Sequence, residues 1–246
     1  MADDERRDGV RIAAVGDIHF SKHVSGPGTQ VFSQMARDAD VLLLLGDLTD
    51  TGLPEEAQGL ARTLTQSVAI PIVAVLGNHD FESGREDEVR SILVDAGITV
   101  LDGEAHEVQG IGFAGVKGFA GGFGRGTLGP WGERVIKAYV QEAVSEALKL
   151  ESALARLRTP HRIALLHYSP IAATVEGEPR EIFPFLGCSR LEEPLNRYPV
   201  TAVFHGHAHN GVLEGATSGG VAVYNVSLPL LQRLQPDAPF RVLTLR

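Results

Sequence analysis

The chain has 246 residues, 43% of them hydrophobic and 22% charged, which suits one large α/β domain or two small ones. Its formal net charge of −9 excludes an electrostatically steered binder of long nucleic acids, because such a protein needs a basic face. No apolar run approaches the ~20 residues of a membrane span, and the single cysteine, Cys188, excludes an intrachain disulfide and a thiolate-rich zinc site.

The N-terminal segment is rich in charged residues. It lacks the apolar stretch of a secretory signal, so we expect a cytoplasmic protein without a membrane partner. Residues 1–9 are predicted to form a disordered tail, and residues 10–246 to fold as a single domain.

The first half of the chain alternates between apolar runs and helical segments. Val41–Leu45 is apolar throughout, as is typical of a strand buried on both faces. Pro54 suits the first position of a helix, and Gly97 suits the end of another. Such alternation indicates a parallel sheet covered by helices. The predicted elements are strands Val10–Val15, Val41–Leu45 and Pro71–Leu76 and helices Gln30–Asp38, Pro54–Ser67 and Glu86–Ala96.

The second half has a different pattern. Short strands are predicted at Thr99–Leu101, His106–Val108 and Ile111–Val116, and we expect them to be antiparallel. Residues 115–132 contain eight glycines, and Trp131–Leu157 has the apolar spacing of a helix with one buried face. The pattern predicts two sheets packed face to face with helices outside. The remaining predicted elements are strands Arg162–Leu166, Thr201–Phe204, Gly211–Leu213, Val221–Tyr224 and Phe240–Leu245 and a helix at Leu191–Asn196.

Five apolar strands are each followed by residues that commonly bind metals. Because ligands of open α/β sheets bind beyond the carboxyl ends of the strands, we expect these five loops to converge. Asp, Asn and His without Cys form a mixed oxygen and nitrogen set, suited to Mn²⁺, Fe or Zn²⁺. One tetrahedral ion cannot use them all, so we predict two metal ions. The segments are Gly16-Asp17-Ile18-His19, Gly46-Asp47, Gly77-Asn78-His79-Asp80, His167 and His205-Gly206-His207-Ala208-His209.

These segments resemble, in order, the five motifs of the calcineurin-like metallophosphoesterases, and the resemblance extends from Asp17 to His209. It implies a four-layer α/β/β/α sandwich, in which two mixed sheets are flanked by helices, with a dinuclear metal centre. The nucleophile would be a metal-bridging hydroxide. Asp50 is not followed by the Arg-Gly of the protein-phosphatase branch, which favours the branch of small-molecule phosphodiesterases.

The resemblance also implies a role for each motif residue. His79 would stand beside the substrate as acid or electrophile, and Asp80 would orient its ring. His205 precedes its motif and is interpreted as a packing residue or as support for the ligands. The side chains assigned to metal binding are Asp17, His19 and His209 at the first ion, Asn78, His167 and His207 at the second, and Asp47 bridging both.

Two glycine-rich stretches in the middle of the chain are candidate ligand sites. Gly110–Gly115 matches the dinucleotide fingerprint G-x-G-x-x-G, but no helix is predicted to begin there, so this interpretation is rejected. Residues 117–129 are interpreted as a flexible loop. A functional alternative makes them a mobile flap over the substrate, carrying Lys117, Phe119, Phe123 and Arg125.

The sequence therefore predicts a metal-dependent phosphoester hydrolase, a phosphodiesterase acting on a small or nucleotide-like substrate. A phosphomonoesterase or pyrophosphohydrolase with the same centre is the alternative within the enzyme class. A non-catalytic, metal-binding interaction protein of the same fold is a second alternative, although such a protein is expected to lack some ligands or the catalytic histidine. The sequence indicates no oligomeric state.

Overall fold

The computed structural model describes residues 9–21 and 28–246. The tail predicted at residues 1–9 thus lies almost entirely outside the described residues. So does His23, which is near enough in sequence to the first motif to be considered as a lining residue. None of the described helices is long and apolar enough to span a membrane.

The first half of the chain forms alternating strands and helices, as predicted. Two strands and one helix have the predicted ends, and the other elements differ by one to two residues at an end. The elements are β1 (Val10–Val15), α1 (Gly28–Asp38), β2 (Val41–Leu45), α2 (Pro54–Ser67), β3 (Ile72–Val75), α3 (Glu86–Asp95) and β4 (Thr99–Val100).

The second half contains the other elements, joined by short 3₁₀ turns. The helix α7 was missed, although Leu228, Leu231 and Leu234 have helical spacing. The elements are β5 (Ala105–Val108), β6 (Ile111–Gly115), α4 (Arg134–Arg156), β7 (His161–Leu165), α5 (Phe183–Leu186), α6 (Glu192–Arg197), β8 (Ala202–His205), β9 (Glu214–Ala216), β10 (Ala222–Asn225), α7 (Leu228–Leu234) and β11 (Arg241–Leu245).

Both sheets are mixed. The five-stranded sheet has the order β11-β1-β2-β3-β4, with only β11 antiparallel to its neighbour. The six-stranded sheet has the order β5-β6-β7-β8-β10-β9, and its central strands β6, β7, β8 and β10 are parallel. The two mixed sheets flanked by helices that were predicted are therefore confirmed.

Three details of the prediction are wrong. The strand at Thr99 is parallel to β3 rather than antiparallel, because helix α3 crosses over between the two strands. The long helix α4 begins at Arg134 and not at Trp131, because Gly132 has a φ of 83°. The strand predicted at residues 211–213 begins at Glu214, because the preceding Val212 donates its backbone N–H to Thr174.

Successive side chains along β7 point to opposite faces of the sheet, which shows how the layers pack. Ile163 and Leu165 belong to the core between the two sheets, whereas Ala164 and Leu166 pack with Leu154 of α4 on the outer face. All five side chains are fully buried. Complete burial of a large aliphatic side chain contributes about 1.5–3 kcal/mol, so both faces of this strand hold the sheet between its neighbouring layers.

Candidate metal centre

The carboxyl ends of strands from both sheets meet at one place. Within the first sheet, Asp17 donates its backbone N–H to Gly46 O over 2.9 Å, which ties the loop after β1 to the loop after β2. Between the sheets, His167 Nδ1 lies 3.0 Å from Leu45 O. The convergence follows from parallel strands whose ends share one edge, the arrangement that the sequence predicted.

The first metal group consists of Asp17, His19 and His209. One ligand atom from each lies within 4.8 Å of the other two, and Asp17 Oδ1 is 3.0 Å from His209 Nε2. Asp17 is buried, and its carboxylate also accepts the backbone N–H of His207. His19 Nε2 is buried without a hydrogen-bond partner among the described residues. A cation would satisfy that orphaned nitrogen.

The second metal group consists of Asp47, His167 and His207, whose ligand atoms also lie within 4.8 Å of one another. Asn78 joins it, since Asn78 Oδ1 is 2.9 Å from His167 Nε2. Asp47 and His167 are both buried. The structure thus brings together all four side chains that the sequence assigned to the second ion or to the bridge.

Backbone carbonyls fix the tautomers of two histidines in the second group. A carbonyl oxygen only accepts, so His167 Nδ1 carries a proton toward Leu45 O, and His207 Nε2 carries one toward Phe185 O at 3.1 Å. The remaining ring nitrogen of each histidine then keeps a lone pair in the neutral form. Metal-binding histidines are oriented in this way by carbonyl acceptors.

Asp47 lies between the two groups. Its Oδ2 is 3.7 Å from His19 Nε2 of the first group, and its Oδ1 is 3.3 Å from His167 Nε2 of the second. Oδ1 also accepts the backbone N–H of His79 over 2.8 Å. The two oxygens of one carboxylate therefore face different groups, so Asp47 is placed to contact both.

Strained backbone is concentrated in these loops. Among the described residues five that are not glycine have a positive φ, and four of the five belong to the two metal groups. Such conformations cost of order 1–3 kcal/mol each and persist only where the surroundings enforce them. The four residues are Asp17 (56°), His19 (45°), Asp47 (47°) and His207 (69°).

Opposite charges set the protonation of the ligands. Burial alone would raise the pKa of Asp47, but the charge and hydrogen bond of His167 hold it well below its usual range. Burial would also raise the pKa of Asp17, but its hydrogen bond with His209 and the charge of His167 lower it. Burial would lower the pKa of His167, but Asp47 and Asp17 raise it to about 9. Burial, aided by His167, lowers the pKa of His207 to about 4.

The donor set fits the metal ions that the sequence implied. Carboxylate, amide and imidazole groups without thiolates form two adjacent clusters that share Asp47. The ionised carboxylates supply the negative charge that a buried cation requires. These His and Asp groups could therefore hold metal ions.

Comparison with known proteins identifies the fold family. The sequence model described as calcineurin-like phosphoesterase matches residues 10–211, which include every proposed ligand. The chain belongs to this family. No match is found among curated protein sequences.

Two solved structures share this phosphoesterase fold. The protein TT1561 of Thermus thermophilus has 15% sequence identity and a TM-score of 0.55, and the match covers 97% of this chain and 100% of that one. A putative 5'-nucleotidase from Staphylococcus aureus, in complex with alpha-ketoglutarate, has 17% identity and a TM-score of 0.56. That match covers 89% of this chain and 48% of the other. At these identities the likeness shows the fold alone.

His79 of this phosphoesterase lies at the edge of the first group. Its ring is 4.5 Å from the ring of His19, centroid to centroid, and its side chain is 36% exposed. Its Nδ1 lies 2.7 Å from Asp50 O, so this nitrogen carries a proton and Nε2 is left for other contacts. The ring is thus oriented by a backbone carbonyl and remains accessible to a substrate.

Asp80 does not orient the ring of His79, which corrects the role that the sequence implied. Its carboxylate instead accepts backbone N–H groups of Leu48, Thr49 and Gly77 and the hydroxyl of Thr49. Burial and the charge of Asp47 raise the pKa of Asp80 to about 6. Asp80 therefore ties the loop after β3 to the loop after β2.

Asp50 is the site residue that sequence reasoning missed. Besides its carbonyl contact with His79, its Oδ1 is 3.4 Å from His19 Nδ1, and the three residues form a further cluster of potential ligands. Its position three residues after Asp47 was the available signal. That position was used only to assign a branch of the family.

Backbone hydrogen bonds anchor the glycine-rich segment in this structure, and the interpretation of it as a mobile flap stays a prediction. Gly122 exchanges backbone hydrogen bonds with Gly187 and Ser189, and its φ of 86° explains why glycine is needed there. Phe119 packs against Tyr168 and other buried residues. Arg125 is exposed, while Lys117 is half-buried and Phe123 packs in a small core cluster.

His205 is buried with both ring nitrogens engaged, by Gly206 O at 2.7 Å and by Thr174 Oγ1 at 2.8 Å. It belongs to neither metal group. These contacts agree with the interpretation of His205 as a packing or supporting residue rather than a ligand.

Proposed function

We propose that this protein is a metal-dependent phosphodiesterase that hydrolyses small or nucleotide-like phosphoesters. The observation that carries the proposal is the pair of metal groups joined by Asp47, with the accessible ring of His79 beside them. A structural metal site needs neither a shared carboxylate between two groups nor an exposed histidine at its edge. We further propose that residues 10–246 form one domain and that the protein is cytoplasmic.

In this proposal two ions, with Mn, Fe or Zn as candidates, are held by the residues that the sequence assigned. When bound, such ions polarise phosphoryl oxygens and lower the pKa of water. The first ion would be held by Asp17, His19 and His209, and the second by Asn78, His167 and His207, with Asp47 contacting both.

His79 is proposed to act on the leaving oxygen. Its Nδ1–H is committed to Asp50 O, so a proton at Nε2 is the one it can donate. The hydrogen bond from its backbone N–H to Asp47 fixes its position relative to the metal groups. Asp80 keeps that backbone in place through its contacts with Gly77 and Thr49.

A phosphomonoesterase is the second candidate. The observation that favours it is the Staphylococcus aureus neighbour, which is described as a putative 5'-nucleotidase. The absence of Arg-Gly after Asp50 favours the diesterase instead. Both reactions would use the same metal groups, so only the substrate distinguishes them.

The test is hydrolysis by the purified chain loaded with Mn²⁺. We expect bis-p-nitrophenyl phosphate to be cleaved with a higher kcat/KM than p-nitrophenyl phosphate. Asp47→Ala should abolish turnover, because it removes the ligand that contacts both groups. Metal content should be about two ions per chain in the parent.

His79→Ala separates catalysis from metal binding. We expect about a 10²- to 10⁴-fold lower kcat, the usual contribution of a general acid. Metal content, measured by elemental analysis, should stay at the parent value. Full activity of Asp47→Ala would refute the proposal, and two bound ions without hydrolysis of any phosphoester in a broad panel would support a non-catalytic role instead.

A further inference from the structure

A cavity of about 150 Å³ opens beside the metal centre on the side of His79. Leu76, which lines it, directly precedes the Gly77-Asn78-His79 turn, and Phe81 follows His79 by two residues. Lys117 forms another wall, and its backbone oxygen accepts the N–H of His167 over 3.0 Å. The cavity therefore shares its walls with segments that carry the proposed ligands and the proposed acid.

Two polar groups of this cavity have unused hydrogen-bonding capacity. Glu86 Oε2 is buried and has no hydrogen-bond partner among the described residues. Lys117 Nζ donates to Gly118 O over 3.0 Å, which uses one of its three donors. An unpaired buried polar atom costs of order 1–3 kcal/mol, so a ligand toward which the half-buried Glu86 carboxylate turns would recover a substantial free energy.

Two other charged groups of the lining are already paired, and the Asp87 side chain is exposed. Arg90 contacts Glu104 over 2.8 Å, and Asp102 contacts Lys149 over 2.9 Å. The acidic lining, which includes Glu86 and Asp87, disfavours a second phosphate in this cavity. The two available groups instead match a neutral ligand with one donor and one acceptor.

Aromatic and aliphatic surface completes the lining. Phe81 is 38% exposed, and Lys117 Nζ lies 5.3 Å from the centre of its ring. Leu76, Val100 and Leu101 supply further apolar area. Pockets for whole drug-sized molecules measure about 300–1,000 Å³, so this smaller cavity suits a single ring system rather than a complete ligand.

We propose that this cavity is the base subsite of the phosphoester substrate and takes a nucleobase with an amino group. The amino group donates to the Glu86 carboxylate, which turns toward it, an acceptor atom of the ring receives a hydrogen bond from Lys117 Nζ, and the ring face packs against Phe81. This inference rests on the proposed phosphoesterase function, since it names the class of substrate for the same site.

The test is the binding of nucleosides, which contain no phosphoester and are not turned over. The full chain, loaded with Zn²⁺, is titrated with adenosine and with purine riboside, which differ only in the amino group. Guanosine and inosine form a second such pair. We expect the amino-bearing member to bind about 10-fold more tightly, as measured by ligand-observed NMR, because a hydrogen bond to a charged group is involved.

Glu86→Ala should reduce the ratio of the two affinities, amino-bearing nucleoside over its partner, to about one, while the metal content stays unchanged. Glu88→Ala is the matched control, because Glu88 is in the same helical turn, pairs with Arg85 and does not line the cavity. Phe81→Leu should weaken both members of a pair equally. The inference is overturned if the parent binds both members of a pair equally. It is also overturned if Glu88→Ala loses the preference for the amino-bearing member.

Hydrolysis of bis-p-nitrophenyl phosphate separates this inference from the function on which it rests. That substrate carries no nucleobase, so its hydrolysis by the parent and by Glu88→Ala reports the phosphoesterase reaction without the base subsite. Absence of hydrolysis by the parent contradicts the phosphoesterase. Hydrolysis without discrimination between the nucleosides contradicts only the base subsite.

Discussion

Each metal group has a buried carboxylate, but His167 of the second group and the histidines of the first differ in how deeply they are built into the fold. In the second group, the side chains of His167 and Asp47 are 0% and 2% exposed. In the first group, those of His19 and His209 are 22% and 38% exposed. The same types of ligand thus occur in a buried and in a surface environment only a few ångströms apart.

The difference has an origin in the topology. His167 follows a central strand of the six-stranded sheet and reaches across to Leu45 at the end of a central strand of the other sheet. His209 lies on the loop after β8, where solvent has access. His167 is therefore part of the packing between the sheets, whereas His19 and His209 lie nearer the surface, as does His207 on the loop that carries His209. Replacing ligands should test this distinction directly.

The largest effect on stability is expected for His167→Ala. The substitution leaves the Asp47 carboxylate buried beside a void, and removing one partner of a buried ion pair costs about 3–5 kcal/mol. His209→Ala should cost less, about 1–2 kcal/mol, because Asp17 is also buried but water can enter the space of the half-exposed ring and hydrogen-bond to its carboxylate. The free energy of unfolding is measured in urea with a chelator present, so that metal binding does not contribute.

Equal losses of stability in the two variants would contradict the comparison. Circular dichroism before denaturation shows whether each variant is folded. If His167→Ala does not fold, His167→Gln offers a milder change, and it should still lose more stability than His209→Gln.

A smaller effect is expected where backbone approaches the second group. A Cβ atom on Gly77 would lie 2.2 Å from both the backbone nitrogen and Oδ1 of Asp47, so Gly77→Ala forces the two loops apart. We expect a loss of about 3 kcal/mol, at the upper end for overpacking, and weaker metal binding. Gly126→Ala is the control, since a Cβ atom there meets nothing within 4 Å and φ is not positive.

Metal titration of the folded Gly77→Ala protein distinguishes local from global damage. The affinity of the second ion should fall more than that of the first. A variant as stable as the parent, with unchanged affinity for both ions, would show that the loops yield easily and that the second group is not rigid.

Sequence patterns were sufficient for the architecture and for the meeting of the ligands. Continuous apolar runs such as Val41–Leu45 identified buried strands, and the residues after them converge because parallel strands end at one edge. Asp17 and His209 are separated by 192 residues and still meet in this way. The proposed metal-binding residues are therefore placed by the strands they follow, and the hydrophobic pattern of the sequence identifies those strands.

Contacts that depend on loop conformation were not predictable. The partner of His79 Nδ1 is the backbone oxygen of Asp50. Because every residue has such an oxygen, the residue type at position 50 does not indicate this contact. Asp80 was assigned to the ring of His79 because the two are adjacent in sequence, yet its carboxylate turns to the backbone of Thr49 and Gly77. The backbone hydrogen bonds of the glycine-rich segment, such as those of Gly122, likewise could not be read from its composition.

The smallest effect is expected from the buried polar contacts behind the loop that carries His207 and His209. Because Gly206 O only accepts, His205 Nδ1 holds the proton and Nε2 accepts a hydrogen bond from the Thr174 hydroxyl over 2.8 Å. Thr174→Val removes this donor while keeping the shape of the side chain. We expect a loss of about 1 kcal/mol in the free energy of unfolding.

Thr244→Val is the matched control, because Thr244 is exposed on strand β11 and both residues are β-branched. Metal content of Thr174→Val should remain that of the parent, since His205 is not a ligand in our assignment. If the variant instead lost metal while its stability was unchanged, the contacts of His205 would serve the ligands of the exposed loop directly. The surface histidines would then depend on buried support as much as His167 does, and the contrast between the two groups would have to be redrawn.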